Sequence, residues 1–318
     1  MGTVTHMSQR TAVVEGVLVV SKEAGWTSHD VVAKIRGLLG GVKVGHAGTL
    51  DPAATGVLPV LVGRATRVAE YLVDWDKEYR AVLRLGETTD TQDLTGKVLT
   101  RADPTVVREE ALREVLGRFR GPQRQVPPMY SAVKVGGRPL YKAARAGETV
   151  ERADRPIIVH ELDILAVDGR DVTLRVVCSK GTYIRTLCAD IGQALGVGGH
   201  LAALERCRVG PLFVEQALTV DQVADQVAIG TLPRHLIPLN RALDRLPAMT
   251  VTDEQARLVL HGGAVSPAGT EQLISSSGPV SIRLLDREGR LLAIGVYGGK
   301  TADLVRIRKV LAENESLN

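Results

Sequence analysis

The apolar residues of this chain fall into many short runs, and run length limits the folds open to it. Gly16 to Val20 (GVLVV), Val57 to Val62 (VLPVLV) and Tyr79 to Leu85 (YRAVLRL) are bounded by glycine or polar residues. These are strand lengths, and YRAVLRL alternates apolar with polar as a half-buried strand does. Ile157 to Val167 and Asp171 to Cys178 flank an Asp168-Gly169 turn and read as a paired hairpin. Helical patterns are fewer. One covers about Asp30 to Leu39, capped by Ser28 and stopped by Gly40-Gly41. Others cover Thr66 to Leu72, Val106 to Phe119, and Tyr183 to Leu195 before Gly196. Glu87 to Gly96 is a loop by composition, and Pro122 to Pro128 a Pro/Gln/Arg-rich connector. Mixed order without regular strand–helix alternation predicts an α+β fold with a largely antiparallel mixed sheet. The most apolar stretch, Gly56 to Gly63, is far short of a membrane span.

A chain of 318 residues holds two or three domains, at roughly 100–200 residues each. A second unit begins near Leu246-Pro247. It offers a helix over Asp253 to Leu260, ended by Gly262-Gly263, and a loop at Ser275 to Gly278. Three strands follow, at Val280 to Leu285, Leu291 to Tyr297 and Leu304 to Val310. That is a small β-barrel-like module, marginal alone but adequate when packed on a larger partner. The expected layout is a domain over 11–245, a module over 246–312, and a loose tail from Ala312 to Asn318.

Composition excludes several functions. The 40 Lys and Arg against 36 Asp and Glu give a net charge of only +4, too mild to establish a nucleic-acid partner. Thirty of those cations are arginine, which suits phosphate contacts but also follows from GC-rich codon usage. Aromatic residues are 3%, against single-strand binders built from rows of stacking rings. The cysteines, Cys178, Cys188 and Cys207, form no CxxC pair, and the seven histidines show no HxxxH or HExxH spacing. No zinc site is therefore legible. The odd cysteine count, and the lack of an apolar segment from Met1 to Arg10, place the chain in a reducing cytoplasm. Met1 and Met7 suggest an appended remnant before the second.

The most informative segment is Gly45 to Gly56, GHAGTLDPAATG. Its glycines permit close approach by a ligand, and Pro52 restrains Asp51 toward extended backbone. A carboxylate on a stiff loop between apolar elements is a candidate site, though an aspartate capping a turn has the same local pattern. The segment matches neither GxxxxGK[ST] nor GxGxxG, so it does not read as a nucleotide cradle. Arg118, Arg120, Arg124, Lys134, Arg138, Lys142 and Arg145 lie between apolar blocks as a candidate phosphate-contacting surface. Gly136-Gly137 gives that stretch the flexibility to order on RNA.

Five segments occur in order: GVLVVSKEAGWTSHDVV, KVGHAGTLDPAATGVL, KEYRAVLRLGETTDTQDLTG, QVPPMYSAVKVGGRPLYKAARAG and CSKGTYIRTLCADIGQALGVGGHLAALERCRVG. Together they resemble successive motifs of the TruB family, the bacterial tRNA pseudouridine synthases that act on the T-loop uridine at position 55. The resemblance runs from about residue 16 to 220, and the C-terminal module resembles the small RNA-binding PUA domain. It implies the pseudouridine synthase fold and a monomer acting on the tRNA T-arm without a metal, a cofactor, a membrane or an obligatory protein partner. Asp51 would be the nucleophile, attacking either the base C6 or the ribose C1′. Tyr79 would stack on the flipped base and assist loss of the C5 proton. Arg185 would pair with Asp51, and Tyr183 and Leu204 would contact the base. His46 would help remove the base from the T-loop stack. Lys22, Asp90, Lys134, Arg138 and Lys142 would face the RNA at lower specificity. Where the family reads lysine-proline this chain has Lys22-Glu23, which puts the local turn in doubt. Two other readings stand beside the enzyme: a noncatalytic tRNA-binding or folding factor using the same surface, and a sugar hydrolase. The second needs another nearby carboxylate, and spacing identifies none.

Overall fold

The computed structural model describes residues 14–267, 278–298 and 304–312. Strand β1 (Gly16–Lys22) is followed by helix α1 (Ser28–Leu38), then β2 (Val44–His46) and β3 (Thr55–Val62). Short helix α2 (Ala69–Val73) precedes β4 (Lys77–Leu85). Strands β5 (Glu87–Thr89) and β6 (Val98–Arg101) form a hairpin, and α3 (Glu109–Arg118) runs into β7 (Gly121–Gln125). Two-residue strands β8 (Lys134–Val135) and β9 (Arg138–Pro139) lead to α4 (Leu140–Arg145). Then come β10 (Arg155–Asp168), β11 (Asp171–Cys178), α5 (Ile184–Ala194), β12 (Gly199–Val209) and β13 (Leu212–Phe213). Helix α6 (Val220–Ala228), β14 (Leu236–Ile237) and α7 (Leu239–Ala242) finish this part.

Ten of these strands make one sheet in the order β14-β1-β3-β12-β4-β11-β10-β7, with β2 on β3 and β13 on β12. Its ladders are antiparallel except where β12 meets β3 in parallel, at Glu205 opposite Thr55 and Arg206 opposite Gly56. The fold is thus α+β with a large, mostly antiparallel sheet, as the strand patterns predict. On β4 the alternation buries Tyr79, Ala81, Leu83 and Leu85 on one face, against Ile184, Leu187, Cys188 and Ile191 of α5. Each such leucine contributes roughly 2 kcal/mol by leaving water. Helices α1 and α6 close a second core over β1 and β3, with Val31, Ile35 and Val223 fully buried.

Strands β15 (Ala248–Thr250), β16 (Val280–Leu285), β17 (Leu291–Tyr297) and β18 (Arg306–Val310) form a separate four-stranded sheet, with α8 (Asp253–Leu260) packed on it. It is anchored to the larger part. Ile294 and Leu311 share a core with Leu72, Trp75 and Val209. Arg283 donates to the carbonyls of Asn240 and Leu246, both at 2.9 Å.

The chain departs from the sequence expectations in several places. Thr27, not Ser28, caps α1: its side chain accepts from Asp30 N–H while Asp30 accepts from Thr27 N–H at 2.9 Å. A capping box outweighs a lone serine because it satisfies two amide donors at once. The Pro122 to Pro128 connector contributes β7, which tolerates Pro122 because it lies at the sheet edge. The Glu87 to Gly96 loop begins as a hairpin arm. The Ser275 to Gly278 loop, the Ala312 to Asn318 tail and the Met1 to Arg10 start lie wholly or mostly outside the described residues.

Candidate active site

Asp51 stands on the loop between β2 and β3, and nearly every neighbour of it is tied down. Ser28 Oγ accepts from Leu50 N–H at 2.9 Å and donates to the Leu50 carbonyl at 3.2 Å. Lys22 Nζ donates to the carbonyls of Glu23, Trp26 and Pro52, at 2.9, 2.8 and 3.2 Å. Arg206 donates to the carbonyls of Val57, Gly48 and Thr49, at 2.7, 3.0 and 3.4 Å. The Ala54 amide closes a turn onto the Asp51 carbonyl at 3.0 Å. Buried carbonyls require donors, and two buried cations supply six of them here. The glycines have steric reasons. Gly48 and Gly56 lie at φ +101 and +96, and a Cβ on Gly56 would come within 2.3 Å of the Arg206 carbonyl oxygen.

The Asp51 carboxylate meets Arg185, from the first turn of α5. Arg185 Nε lies 2.9 Å from Asp51 Oδ2. The guanidinium is 6% exposed and the carboxylate 43%, so a buried cation holds an anion that reaches open space. Arg185 is itself oriented by the carbonyls of Tyr130 and Thr91, at 2.8 and 3.3 Å. Burial raises the Asp51 carboxyl above its usual range; Arg185 opposes that, Asp93 adds to it, and Lys22 opposes it. Together these residues wall a cavity of about 300 Å³ lined by Asp51, Pro52, Thr91, Asp93, Thr95, Tyr130, Tyr141, Arg145 and Arg185. That volume lies at the small end of the range for ligand pockets.

The other expected site residues divide by place. Tyr79, on β4, is buried beneath the cavity and not on its lining. Its hydroxyl is pushed up to about 12, by burial first, with Arg206 opposing as a hydrogen-bond partner. Tyr183 caps α5, and its backbone amide and carbonyl are both bonded by the Gln125 side chain, at 2.8 and 3.0 Å. Leu204 is half-buried on β12 and packs against the core containing Tyr79. His46 ends β2 with its ring 5.4 Å from His29, edge to face. Burial, then His29 and Arg206, lower it to about 4, so the imidazole is neutral at physiological pH.

The residues expected to face RNA differ in kind. Lys22 is a correction: it is 0% exposed and its ammonium is committed to three carbonyls, so it braces the Asp51 loop from inside. Because it bonds the carbonyl of residue 23, which any residue type offers, Glu23 preserves that contact. Asp90 is exposed, but its Oδ1 accepts from Lys97 N–H at 2.7 Å and closes the hairpin turn. Lys134, Arg138 and Lys142 are all exposed, and Arg138 pairs with Glu148 at 2.6 Å. Among the described residues no ion pair engages Lys134 or Lys142. Arg120 and Arg124 are held by Asp163 and Asp154, at 2.8 and 2.6 Å.

Three participants went unread in the sequence. Asp93, not Asp90, faces Arg185, at 3.7 Å. Its position is fixed because Thr91 and Thr95 hydroxyls donate to it, at 2.7 and 2.6 Å. Tyr130, before β8, and Tyr141, in the first turn of α4, line the cavity. Beside Asp93, Gln92 has φ +63, the one positive φ among described non-glycine residues. It is held there by Thr186 Oγ1 on α5 and by the Leu201 amide on β12, at 2.9 and 3.0 Å. Backbone strain of this sort persists where its surroundings over-determine it. No trio of His, Cys, Asp or Glu among the described residues is gathered to hold a metal.

Comparison with known proteins gives this site a family. Residues 36–184 match the N-terminal domain of the TruB family pseudouridylate synthases, and 185–244 match the tRNA pseudouridylate synthase B C-terminal domain. The chain is 47% identical over 289 residues to tRNA pseudouridine synthase B of Thermobifida fusca, covering 88% of this chain and 94% of the relative. It is 42% identical over 305 residues to the protein of that name from Bacillus licheniformis, covering 94% and 98%. Among solved structures, a Cbf5-Nop10-Gar1 complex contains a chain that superposes with TM-score 0.74 at 30% identity, covering 95% of this chain and 86% of that one. An archaeal box H/ACA Nop10-Cbf5 complex gives 0.72 at 28%, covering 96% and 89%. The chain therefore belongs to the TruB family and is a pseudouridine synthase, an isomerase.

Proposed function

We propose that this enzyme isomerises the T-loop uridine at position 55 of tRNA to pseudouridine, with Asp51 as nucleophile. The observation that carries the reading is the Asp51–Arg185 pair, 2.9 Å apart, with the carboxylate opening onto a nucleoside-sized cavity. The target uridine, hidden inside the folded loop, flips out at a cost of roughly a few kcal/mol, offset by RNA contacts and ring packing. The carboxylate adds at C6 of the base or at C1′ of the sugar. The glycosidic N1–C1′ bond breaks, the uracil turns, C5 bonds to C1′, and the bond to Asp51 breaks, returning the free carboxylate. C5 then loses its proton and N1 gains one, so the product is an isomer and no oxidant or cofactor is consumed. Arg185 keeps the carboxylate aimed and ionised against its burial. Tyr79 is a neutral phenol in the resting site, so its ring, next to the half-buried Leu204, is what it offers the base. His46, also neutral, is suited to stack in the vacated T-loop without adding charge.

Recognition rests on the tRNA T-arm, with Lys134, Arg138 and Lys142 meeting phosphates and the C-terminal sheet, read as a PUA-like module over 246–312, adding contacts. The enzyme acts in the cytoplasm as a monomer, without an obligatory protein partner. A noncatalytic tRNA-folding role can accompany this chemistry but does not need Asp51. The test is nucleoside analysis of an unmodified tRNA transcript after incubation. Wild type is expected to convert the T-loop uridine, while Asp51→Ala binds the transcript and forms no pseudouridine. Product from Asp51→Ala would reject the nucleophile assignment.

A further inference from the structure

Arg206 occupies an unusual place. It lies on β12 at the sheet's one parallel pairing, opposite Gly56 on one side and in direct register with Tyr79 of β4 on the other. Its side chain is among the largest fully buried in the protein. Three donor contacts go to the carbonyls of Gly48, Thr49 and Val57, which bracket Asp51 in sequence. Among the described residues no carboxylate forms an ion pair with Arg206. Gly56 lets the two strands approach: a Cβ there would come within 2.3 Å of the Arg206 backbone carbonyl oxygen.

A brace that only filled space would not need a charge, because a buried unpaired cation is costly to maintain. This one holds the loop that carries Asp51 and lies in register with Tyr79, and the Asp51 carboxylate acts on its charge. We infer that Arg206 is a positioning residue for the isomerisation, tying the Asp51 loop to the strand position that faces Tyr79 in a single frame. The inference rests on the assignment of Asp51 as nucleophile. With the guanidinium in place, the Gly48 and Thr49 carbonyls are held against turning Asp51 away from Arg185, and the loop is tied to the strand in register with Tyr79. The same cation adds a favourable field for the ionised carboxylate.

The test uses the full chain with Arg206→Met and Arg206→Lys, assayed in single turnover on an unmodified tRNA transcript beside Asp51→Ala. Arg206→Met is expected to lower the saturating rate by roughly 100-fold, as misplaced reacting groups do, with tRNA affinity unchanged. The acid limb of its rate–pH profile should move to higher pH, because a cation near the carboxylate is gone. Arg206→Lys retains the charge with fewer donors and should recover part of the rate and all of the limb position. A near-wild-type saturating rate for Arg206→Met would overturn the inference. So would a loss that scales with the folded fraction while the pH profile stays put. If Arg206→Met does not fold, Arg206→Lys decides: a reduced saturating rate at normal affinity supports positioning, and wild-type kinetics oppose it. Product from Asp51→Ala would instead remove the nucleophile assignment; an inactive Asp51→Ala beside an unimpaired Arg206→Met would remove only the positioning role.

Discussion

The two walls of the cavity are built on opposite principles. The Asp51 wall is a loop whose carbonyls are held by Lys22 and Arg206, both inside the protein. The facing wall comes from the segment carrying Tyr130, Tyr141 and Arg145, built on two-residue strands and a six-residue helix. Its cations, Lys134, Arg138 and Lys142, are exposed, and Gly136-Gly137 sits at its tip with φ +57 and +82. Only a few anchors join it to the core, among them the Tyr130 carbonyl accepting from Arg185 at 2.8 Å. Chemistry demands sub-ångström placement, whereas gripping RNA needs a surface that adapts. Lysine and arginine thus stand in two different settings in one site: Lys22 and Arg206, buried, hold backbone, while Lys134, Arg138 and Lys142 are open to solvent.

If the division is real, substitutions on the rigid wall change the chemical rate and those on the adaptable wall change affinity. The largest effect should come from Arg185→Gln, which leaves the Asp51 carboxylate without its guanidinium. Its single-turnover rate should fall by roughly 10³-fold with tRNA binding intact, as rapid-quench assays can read. Next is Gly56→Ala. A Cβ there meets the Arg206 backbone at 2.3 Å and the residue keeps φ +96, so denaturant titration should show a loss of more than about 1 kcal/mol. On the other wall, Lys134→Ala with Lys142→Ala should weaken tRNA binding several-fold and reduce the salt slope of affinity by about one per cation. The rate at saturating RNA should not change; a change would blur the two-wall division.

The smallest effects are pH-dependent. Burial raises the Asp51 carboxyl, so its ionised, reactive form is lost at higher pH than for an ordinary carboxylate. The acid limb of the single-turnover rate should accordingly lie above about 3.9. For His46 the sign is opposite: the folded value of about 4 lies below the ordinary 6.5 of an imidazole. The unfolded chain therefore binds the extra proton first, and His46's contribution to stability is lost as pH falls from 6.5 through about 4. Ring resonances of His46 should stay those of a neutral imidazole as pH falls until it nears about 4.

Much of the architecture was legible because it rests on local periodicity. The alternation of YRAVLRL marks β4, and Asp168-Gly169 marks the β10–β11 hairpin. Strand β12 was not legible, although it is central. Its ladder with β4 shifts register between Leu201 and Ala203 and again between Arg206 and Arg208, which erases a period-two pattern. The site split in the same way. The proline and glycines around Asp51 marked its loop as a candidate, and the family resemblance, not the local pattern, singled out its carboxylate. Lys22 and Arg206 did not, since such residues are almost never fully buried and nothing local forces them inward. Asp93 was hidden because a loop of several aspartates and threonines gives no sign of which carboxylate turns toward Arg185.

The central claim, that the Asp51 carboxylate performs the chemistry, is tested most directly by tritium release from tRNA labelled at uridine C5, using Asp51→Asn. The amide preserves shape and can still contact Arg185, but it cannot act as the nucleophile. No tritium above the enzyme-free background is predicted, with tRNA affinity within about threefold of wild type. Release at the wild-type rate would contradict the account.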